Sequence, residues 1–294
     1  MHAALPPLID APGLLALLGS RAQQGSEDVL VLDARFNLMQ PDAGEAAWLA
    51  GHIPGARHAH LDRDLSGPRT GTNGRHPLPA LPALADTLGR WGLTPATRVV
   101  VYDDAGSMFA ARAWWLLRWV GHARVQVLDG GWSAWQAAGG AVSTALPAER
   151  PTTRVTLSPQ AGWLLTANEV LASLQGQAPA LPLLDARAPD RFRGENETLD
   201  PVGGHIPGAA NRFFQLNLQD GRFKPAGQLL AEFEACLPGQ DLRQLVHQCG
   251  SGVTACHNLL ALAHAGLPMG RLYAGSWSEW CADPARPRAV GSDG

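Results

Sequence analysis

Val31-Leu32-Asp33-Ala34-Arg35 returns 152 positions later as Leu183-Leu184-Asp185-Ala186-Arg187, and that echo decides how the chain folds. Gly51-His52-Ile53-Pro54-Gly55-Ala56 likewise returns as Gly204-His205-Ile206-Pro207-Gly208-Ala209, an offset of 153. Val127-Leu128-Asp129-Gly130-Gly131-Trp132-Ser133-Ala134-Trp135 matches Leu272-Tyr273-Ala274-Gly275-Ser276-Trp277-Ser278-Glu279-Trp280, an offset of 145. Three echoes in one order mark a duplicated domain, because solenoid repeats run only to about 20–50 residues. The spacing predicts a first domain over residues 1–140, a Gly/Pro-rich linker over 141–160, a second domain over 161–283 and a poorly packed tail over 284–294.

Within each half, short β-branched runs alternate with helical stretches. Val29–Leu32, Arg98–Tyr102 and Arg124–Leu128 read as buried strands, with a Trp-rich helix from Met108 to Val120 that Gly121 closes. The second half repeats the order: Leu245–His247, a helix from Val253 to Ala265 closed by Gly266, then Arg271–Tyr273. Thr166-Ala167-Asn168-Glu169 is a capping box that opens the first helix of this half. Strands alternating with helices imply α/β architecture, here two tandem doubly wound domains, each a parallel sheet with helices on both faces.

Composition narrows the function. With 46% hydrophobic and 17% charged residues the chain is globular, and a net charge of −3 leaves no basic footprint for nucleic acid. No run reaches the roughly 18 apolar residues of a membrane span, and the N-terminal Met1-His2-Ala3-Ala4-Leu5-Pro6-Pro7 lacks the charged lead of a signal peptide, so a cytoplasmic setting is expected. Four cysteines (Cys236, Cys249, Cys256 and Cys281) are too few and too irregular for a disulfide framework or a zinc site. Thiol chemistry remains, with no metal or organic cofactor implied.

Ligands of such folds bind beyond the carboxyl ends of strands, which directs attention to Cys249-Gly250-Ser251-Gly252-Val253-Thr254. Two glycines let Gly250, Ser251, Gly252, Val253 and Thr254 wrap their amides around the Cys249 sulfur, and the following helix adds its positive end. A thiol so placed is an anionic nucleophile. At the 145-residue offset of the Trp segment the first half carries Asp104 instead, so that half is expected to be catalytically silent. A cysteine phosphatase needs Arg six residues after its nucleophile, where Ala255 stands, and a dithiol redox protein needs a second Cys that Cys249-Gly250-Ser251-Gly252 lacks.

The tandem halves, the Asp-x-Arg and Gly-His-Ile-Pro-Gly-Ala elements, the Cys-Gly-Ser-Gly-Val-Thr loop and the Gly-Ser-Trp-Ser-Glu-Trp segment together resemble the two-domain rhodanese family over nearly the whole chain. The loop is most similar to that of the 3-mercaptopyruvate sulfurtransferases within it, because it carries no basic residue after the Cys. That resemblance implies transfer of a sulfane sulfur from 3-mercaptopyruvate through a Cys249 persulfide to a thiol acceptor, either a small thiol or a thioredoxin-like protein, or to cyanide. Thiosulfate is the alternative donor, and a non-enzymatic sulfur carrier or binding module is the alternative class.

The resemblance also implies Arg191 as the cation for the donor's anionic end, with Arg193 secondary, and a Ser251–His76–Asp64 relay that protonates the departing enolate. A second donor Arg is usual just before the Gly-His-Ile-Pro-Gly segment. This chain has Glu195-Asn196-Glu197-Thr198-Leu199-Asp200-Pro201-Val202 there, leaving Arg69, Arg75 or Arg193 to compensate. Arg187, paired with Asp185 as Arg35 is with Asp33, reads as structural, as do His52, His205, Cys256 and the tryptophans; His247 receives no role.

Overall fold

The computed structural model describes residues 5–20 and 27–292. They form two compact units. The first joins the chain up to Gly67 with Pro79–Gln160, and the second joins Pro68–Leu78 with the chain from Ala161 onward.

The first unit runs β1 (Leu8–Ile9), α1 (Ala11–Gly19), β2 (Val29–Asp33), α2 (Ala43–Ala50), β3 (Arg57–His58), α3 (Leu81–Arg90), β4 (Arg98–Tyr102), α4 (Ala110–Trp119), β5 (Val125–Leu128) and α5 (Gly131–Ala137). Its five strands are parallel in the order β1-β5-β4-β2-β3. The second unit runs β6 (Leu164–Leu165), α6 (Ala167–Leu174), β7 (Leu183–Asp185), α7 (Pro189–Arg193), β8 (Ala210–Asn211), a hairpin of β9 (Leu218–Gln219) and β10 (Arg222–Phe223), α8 (Ala226–Cys236), β11 (Val246–Gln248), α9 (Thr254–His264), β12 (Arg271–Tyr273) and α10 (Ser276–Trp280). Its main sheet, β6-β12-β11-β7-β8, is parallel and repeats the first order strand for strand.

Local chemistry explains these elements. Asp10 caps α1 by accepting the Gly13 N–H at 2.8 Å. Thr166 and Glu169 form the expected capping box at the start of α6. Gly121 and Gly266 take φ of +93° and +88° just past α4 and α9. The next amides turn back in the same way at both ends, His122 to the Leu117 carbonyl and Leu267 to the Leu262 carbonyl, so each glycine closes a Schellman turn. Helix α4 starts at Ala110, two residues later than its apolar pattern suggested, because the Asp103 carboxyl takes the Phe109 and Ala110 amides and Ser107 stands at φ +68°.

Every residue of β2 is buried, as parallel strands covered on both faces require. The first core gathers Val29, Val31, Val100, Tyr102, Leu128 and Trp135 around α1; the second gathers Val170, Leu183, Val246, Tyr273, Trp277 and Trp280. Each such aliphatic side chain contributes about 1.5–3 kcal/mol on burial. The tryptophans pack as expected, with Trp114, Trp115, Trp277 and Trp280 fully buried and Trp132 partly exposed, stacked on Tyr102.

The recurring motifs share one job in both units. Arg35 pairs with Asp33 at 2.6 Å and donates to the Gly51 carbonyl at 2.7 Å; Arg187 pairs with Asp185 at 2.7 Å and donates to the Gly204 carbonyl at 2.8 Å. The Asp-x-Arg element therefore ties the strand end to the Gly-His segment. His52 and His205 then bind the Trp48 and Phe192 carbonyls through Nδ1.

Three boundary expectations need correction. Residues 141–160 are not a free linker: Ser143 bridges His52, and the Thr153, Ser158 and Gln160 amides bind the Gly89, Val120 and Trp119 carbonyls, all inside the first unit. The tail is packed as far as it is described, since Ala289 exchanges two backbone hydrogen bonds with His205 and the Trp280 indole donates to Pro287 at 2.7 Å. The third concerns Pro68–Leu78, which leaves the first half of the sequence to join the second unit.

Candidate active site

The loop after β11 places Cys249 at the carboxyl edge of the second sheet with 1% of its surface exposed. Its own N–H donates to Ser276 Oγ at 3.1 Å, and its carbonyl accepts from the Trp277 amide at 3.0 Å. Ser278 N–H holds the Gly250 carbonyl at 2.9 Å. The first turn of α10 thus clamps the loop by its backbone and leaves the Cys249 side chain free of that role. The amides of Gly250, Ser251 and Val253 make no hydrogen bond among the described residues. Gly252, at φ +75°, brings the chain so close to Ala274 that a Cβ would lie 2.2 Å from its carbonyl oxygen.

The first unit shows what this loop does with an anionic group. Tyr102 pairs with Asp33 and hydrogen-bonds its carboxylate at 2.5 Å, as Gln248 pairs with Asp185 and hydrogen-bonds it at 2.6 Å. Trp132 N–H binds the Asp103 carbonyl just as Trp277 N–H binds that of Cys249. Asp103, not Asp104, therefore occupies the nucleophile's position. The offset inferred from the tryptophans was one residue out, because Tyr102 to Trp132 spans one residue more than Gln248 to Trp277. Asp103 is fully buried, and its carboxyl accepts the amides of Ala105, Ser107, Phe109 and Ala110 at 2.8–2.9 Å. Burial raises this carboxyl above its ordinary range, while the amides pull it back.

The structure brings Ser251 and His76 together. Ser251 Oγ lies 2.7 Å from His76 Nδ1, the two side chains being 6% and 3% exposed, and His76 reaches the loop because Pro68–Leu78 belongs to this unit. Asp64 belongs to the first unit, where its carboxylate accepts the His60 N–H at 2.9 Å and burial raises its pKa.

Of the cations, Arg191 and Arg75 reach the loop. A Cβ on Gly250 would lie 2.8 Å from Arg75 Nη2 and 3.5 Å from Arg191 Nη2. Arg75 is fixed by its own N–H to Ser278 Oγ at 3.0 Å. Arg193 forks onto Glu195 at the surface at 2.7–2.8 Å, and Arg69 is exposed.

Both loop-side arginines are already paired. Glu197 grips Arg191 at 2.8 and 2.9 Å, and Asp200 binds Arg75. Burial pushes Glu197 up, but Arg191 and the Leu199 and Asp200 amides prevail and hold it below the usual carboxylate range. For Asp200 burial prevails over Arg75 and raises the carboxyl. Glu197 and Asp200 went unnoticed in the sequence because no spacing announces them. Ser276 left a readable signal: it stands at φ +54° where the first repeat has Gly131 at +55°, and a side chain at so strained a position implies that its hydroxyl is needed.

Arg187 is structural through Asp185, yet it also lies in the field of Cys249. Burial opposes its charge, whereas Asp185, Glu197 and the Cys249 sulfur favour it. His247 is fully buried, with its pKa pushed down to about 3, and stays neutral. Cys256 Sγ sits 3.3 Å from the Gly252 carbonyl inside α9, a packing position. No group of acidic, His and Cys residues suited to a metal occurs among the described residues, and no described helix is long and apolar enough to cross a membrane.

Comparison with known proteins places this geometry. A rhodanese-like domain model matches residues 19–138 and again 166–283. A probable 3-mercaptopyruvate sulfurtransferase of Pseudomonas aeruginosa is 53% identical over 273 residues, covering 92% of this chain and 95% of that protein. Bovine thiosulfate sulfurtransferase is 35% identical, covering 88% and 87% of the two chains. Among solved structures, SseA from Escherichia coli, a 3-mercaptopyruvate sulfotransferase of the rhodanese fold, matches with a TM-score of 0.78 at 29% identity over 93% of this chain and 99% of that one. With both halves matched, and with a cysteine at the strand end of the second half where the first carries Asp103, the chain belongs to the rhodanese family.

Proposed function

We propose that this protein is a sulfurtransferase that takes a sulfane sulfur from 3-mercaptopyruvate and passes it, through a persulfide on Cys249, to a thiol or cyanide acceptor. The carrying observation is the Ser251–His76 hydrogen bond of 2.7 Å, two residues from the buried Cys249. It serves a donor whose leaving group must be protonated.

The Cys249 thiolate attacks the donor's sulfur. The S–S bond forms as the donor's C–S bond breaks, and the electron pair leaves with the three-carbon fragment as an enolate. A proton from the Ser251–His76 pair converts that enolate to pyruvate, and solvent restores the proton. The persulfide rests against the loop amides from Gly250 to Thr254, aided by the start of α9, in the way the Asp103 carboxyl rests in the first unit. Arg191 and Arg75 hold the donor's carboxylate, which a guanidinium matches in a two-pronged fashion. An acceptor thiolate then attacks the outer sulfur, breaks the S–S bond and leaves carrying the sulfur, returning Cys249 to the thiolate. A small thiol or a thioredoxin-like protein fills that role in a cytoplasmic setting, which suits four cysteines that form no disulfide among the described residues.

Two cations beside Gly250 also suit a small dianion, which keeps thiosulfate as the second donor. The test compares kcat/KM for 3-mercaptopyruvate and thiosulfate in wild type and Cys249→Ser, with cyanide as acceptor and mass spectrometry of the donor-treated protein. The expected result is a one-sulfur mass gain on Cys249, abolished in Cys249→Ser, with 3-mercaptopyruvate favoured at least tenfold, or about 1.4 kcal/mol in transition-state stabilisation. No turnover and no mass gain in wild type leaves a binding module; a preference for thiosulfate reverses the donor assignment.

A further inference from the structure

The charges around the loop cancel in pairs before any donor arrives. Arg187 is matched by Asp185, Arg191 by Glu197 and Arg75 by Asp200. An anionic donor entering this arrangement adds an uncompensated negative charge in a largely buried place, where that is costly. One of the three carboxylates must yield.

The three differ in how firmly they are held. Asp185 accepts from the Arg187 guanidinium, the Arg187 amide and Gln248. Glu197 accepts from Arg191 on both oxygens and from the Leu199 and Asp200 amides at 2.9 and 3.1 Å. Asp200 is as buried as they are, its side chain 2% exposed, but only Oδ1 is engaged, by Arg75. Its Oδ2 has no hydrogen-bond partner and stands 3.6 Å from Arg191 Nη2, too far for one. An unpartnered oxygen on a buried carboxylate is a place where a proton can be added without breaking a bond.

We propose that Asp200 gates the donor site: it takes up a proton as the donor's carboxylate binds, freeing Arg75 and the near edge of Arg191 for the donor. This rests on the reading of Arg191 and Arg75 as the donor's anchors. The groups facing Asp200 are Arg75, Arg191, Glu197 and the Cys281 thiol. Arginines keep their charge throughout. Arg191 holds Glu197 ionised, and burial together with the Asp200 charge pushes the Cys281 thiol up to about 11. Asp200 is the member of this group with an open oxygen for a proton, and burial has already raised its carboxyl above the ordinary value. A group protonated preferentially in the complex makes affinity fall as pH rises from its free-protein pKa to its higher value in the complex.

The probe is pyruvate, which carries the carboxylate but no thiol to titrate. Calorimetry of pyruvate binding to the full chain, in buffers of different ionisation enthalpy between about pH 5 and 8, is expected to show net proton uptake approaching one per pyruvate. Affinity is expected to fall by up to tenfold per pH unit. Asp200→Asn, which keeps the shape and one acceptor for Arg75, is expected to bind with no proton uptake, with a flat pH profile, and at least as tightly as wild type at the upper end of the range. Binding without proton uptake by wild type overturns the gate, even if the variant does not fold. So does a folded Asp200→Asn that keeps the wild-type proton uptake. Arg191→Ala separates the two readings: loss of pyruvate affinity supports the anchor, and unchanged affinity shows that the anchor assignment, rather than the gate alone, has failed.

Discussion

Removing the Ser251 hydroxyl is expected to separate the two donors. The side chain accounts for one hydrogen bond, 2.7 Å to His76 Nδ1, between two buried groups. If that contact only holds the loop, Ser251→Ala costs about 1–3 kcal/mol by leaving the imidazole without this partner, and both donors suffer alike. If it delivers a proton, the cost falls on the donor that needs one. The carbon fragment of 3-mercaptopyruvate leaves as an enolate and must be protonated, a task for which a positioned acid contributes about 10²–10⁴-fold. Sulfite leaves thiosulfate as a stable anion and needs no proton. Ser251→Ala should therefore lower single-turnover pyruvate release by about 10² or more while changing sulfite release by only a few-fold. His76→Ala should do the same, and the double variant should be no slower than the worse single one, since the two act as a unit. Rapid-mixing measurement of both products, with thermal unfolding as a check on stability, decides the matter. An equal loss for both donors, or additive losses in the double variant, would refute the proton-delivery argument and leave the hydrogen bond a structural one.

Gly252→Ala places a side chain at φ +75° and 2.2 Å from the Ala274 carbonyl oxygen, so it should lower the unfolding midpoint and abolish persulfide formation. Gly208→Ala, at φ +77° with open space around it, should cost about 1–2 kcal/mol for the backbone alone and leave transfer intact, as denaturant melts and cyanide assays would show. Asp103→Ala strips three buried amides and one part-buried amide of their acceptor and should destabilise the protein by about 3 kcal/mol or more in a urea melt. Its turnover at temperatures well below the midpoint should stay near wild type.

The two sheets were legible because their determinants are local and occur twice. The Asp-x-Arg pairs, the Gly-His carbonyls that receive them and the strands beside them are set by short segments whose echo reveals which residues correspond. The same echo misled at one point. A single extra residue between Tyr102 and Trp132 shifted the alignment and put Asp104 where Asp103 belongs, and only the pairing of Tyr102 with Asp33 exposes the slip. Arg191 could be expected only through the family resemblance of its segment in α7. Asp200 could not, because its character comes from burial and from Arg75, 125 residues away in the sequence. Nor did the residues after Pro284 advertise the clasp between Ala289 and His205, since a backbone exchange leaves no side-chain signature.

The Asp103 carboxyl has a consequence for the history of the duplication. A first half that had merely lost its cysteine could regain it by one substitution, the loop standing ready. Here the loop has closed upon a substitute occupant, with the amides of Ala105, Ser107, Phe109 and Ala110 all committed to it. Asp103→Cys would install a thiol but give up four carboxyl–amide hydrogen bonds on which this loop now depends, so the first step back costs stability before the rest of the site exists to use the sulfur. The division of labour between the halves is in that sense a ratchet: easy to enter through one acidic residue, and reversible only by several changes made together.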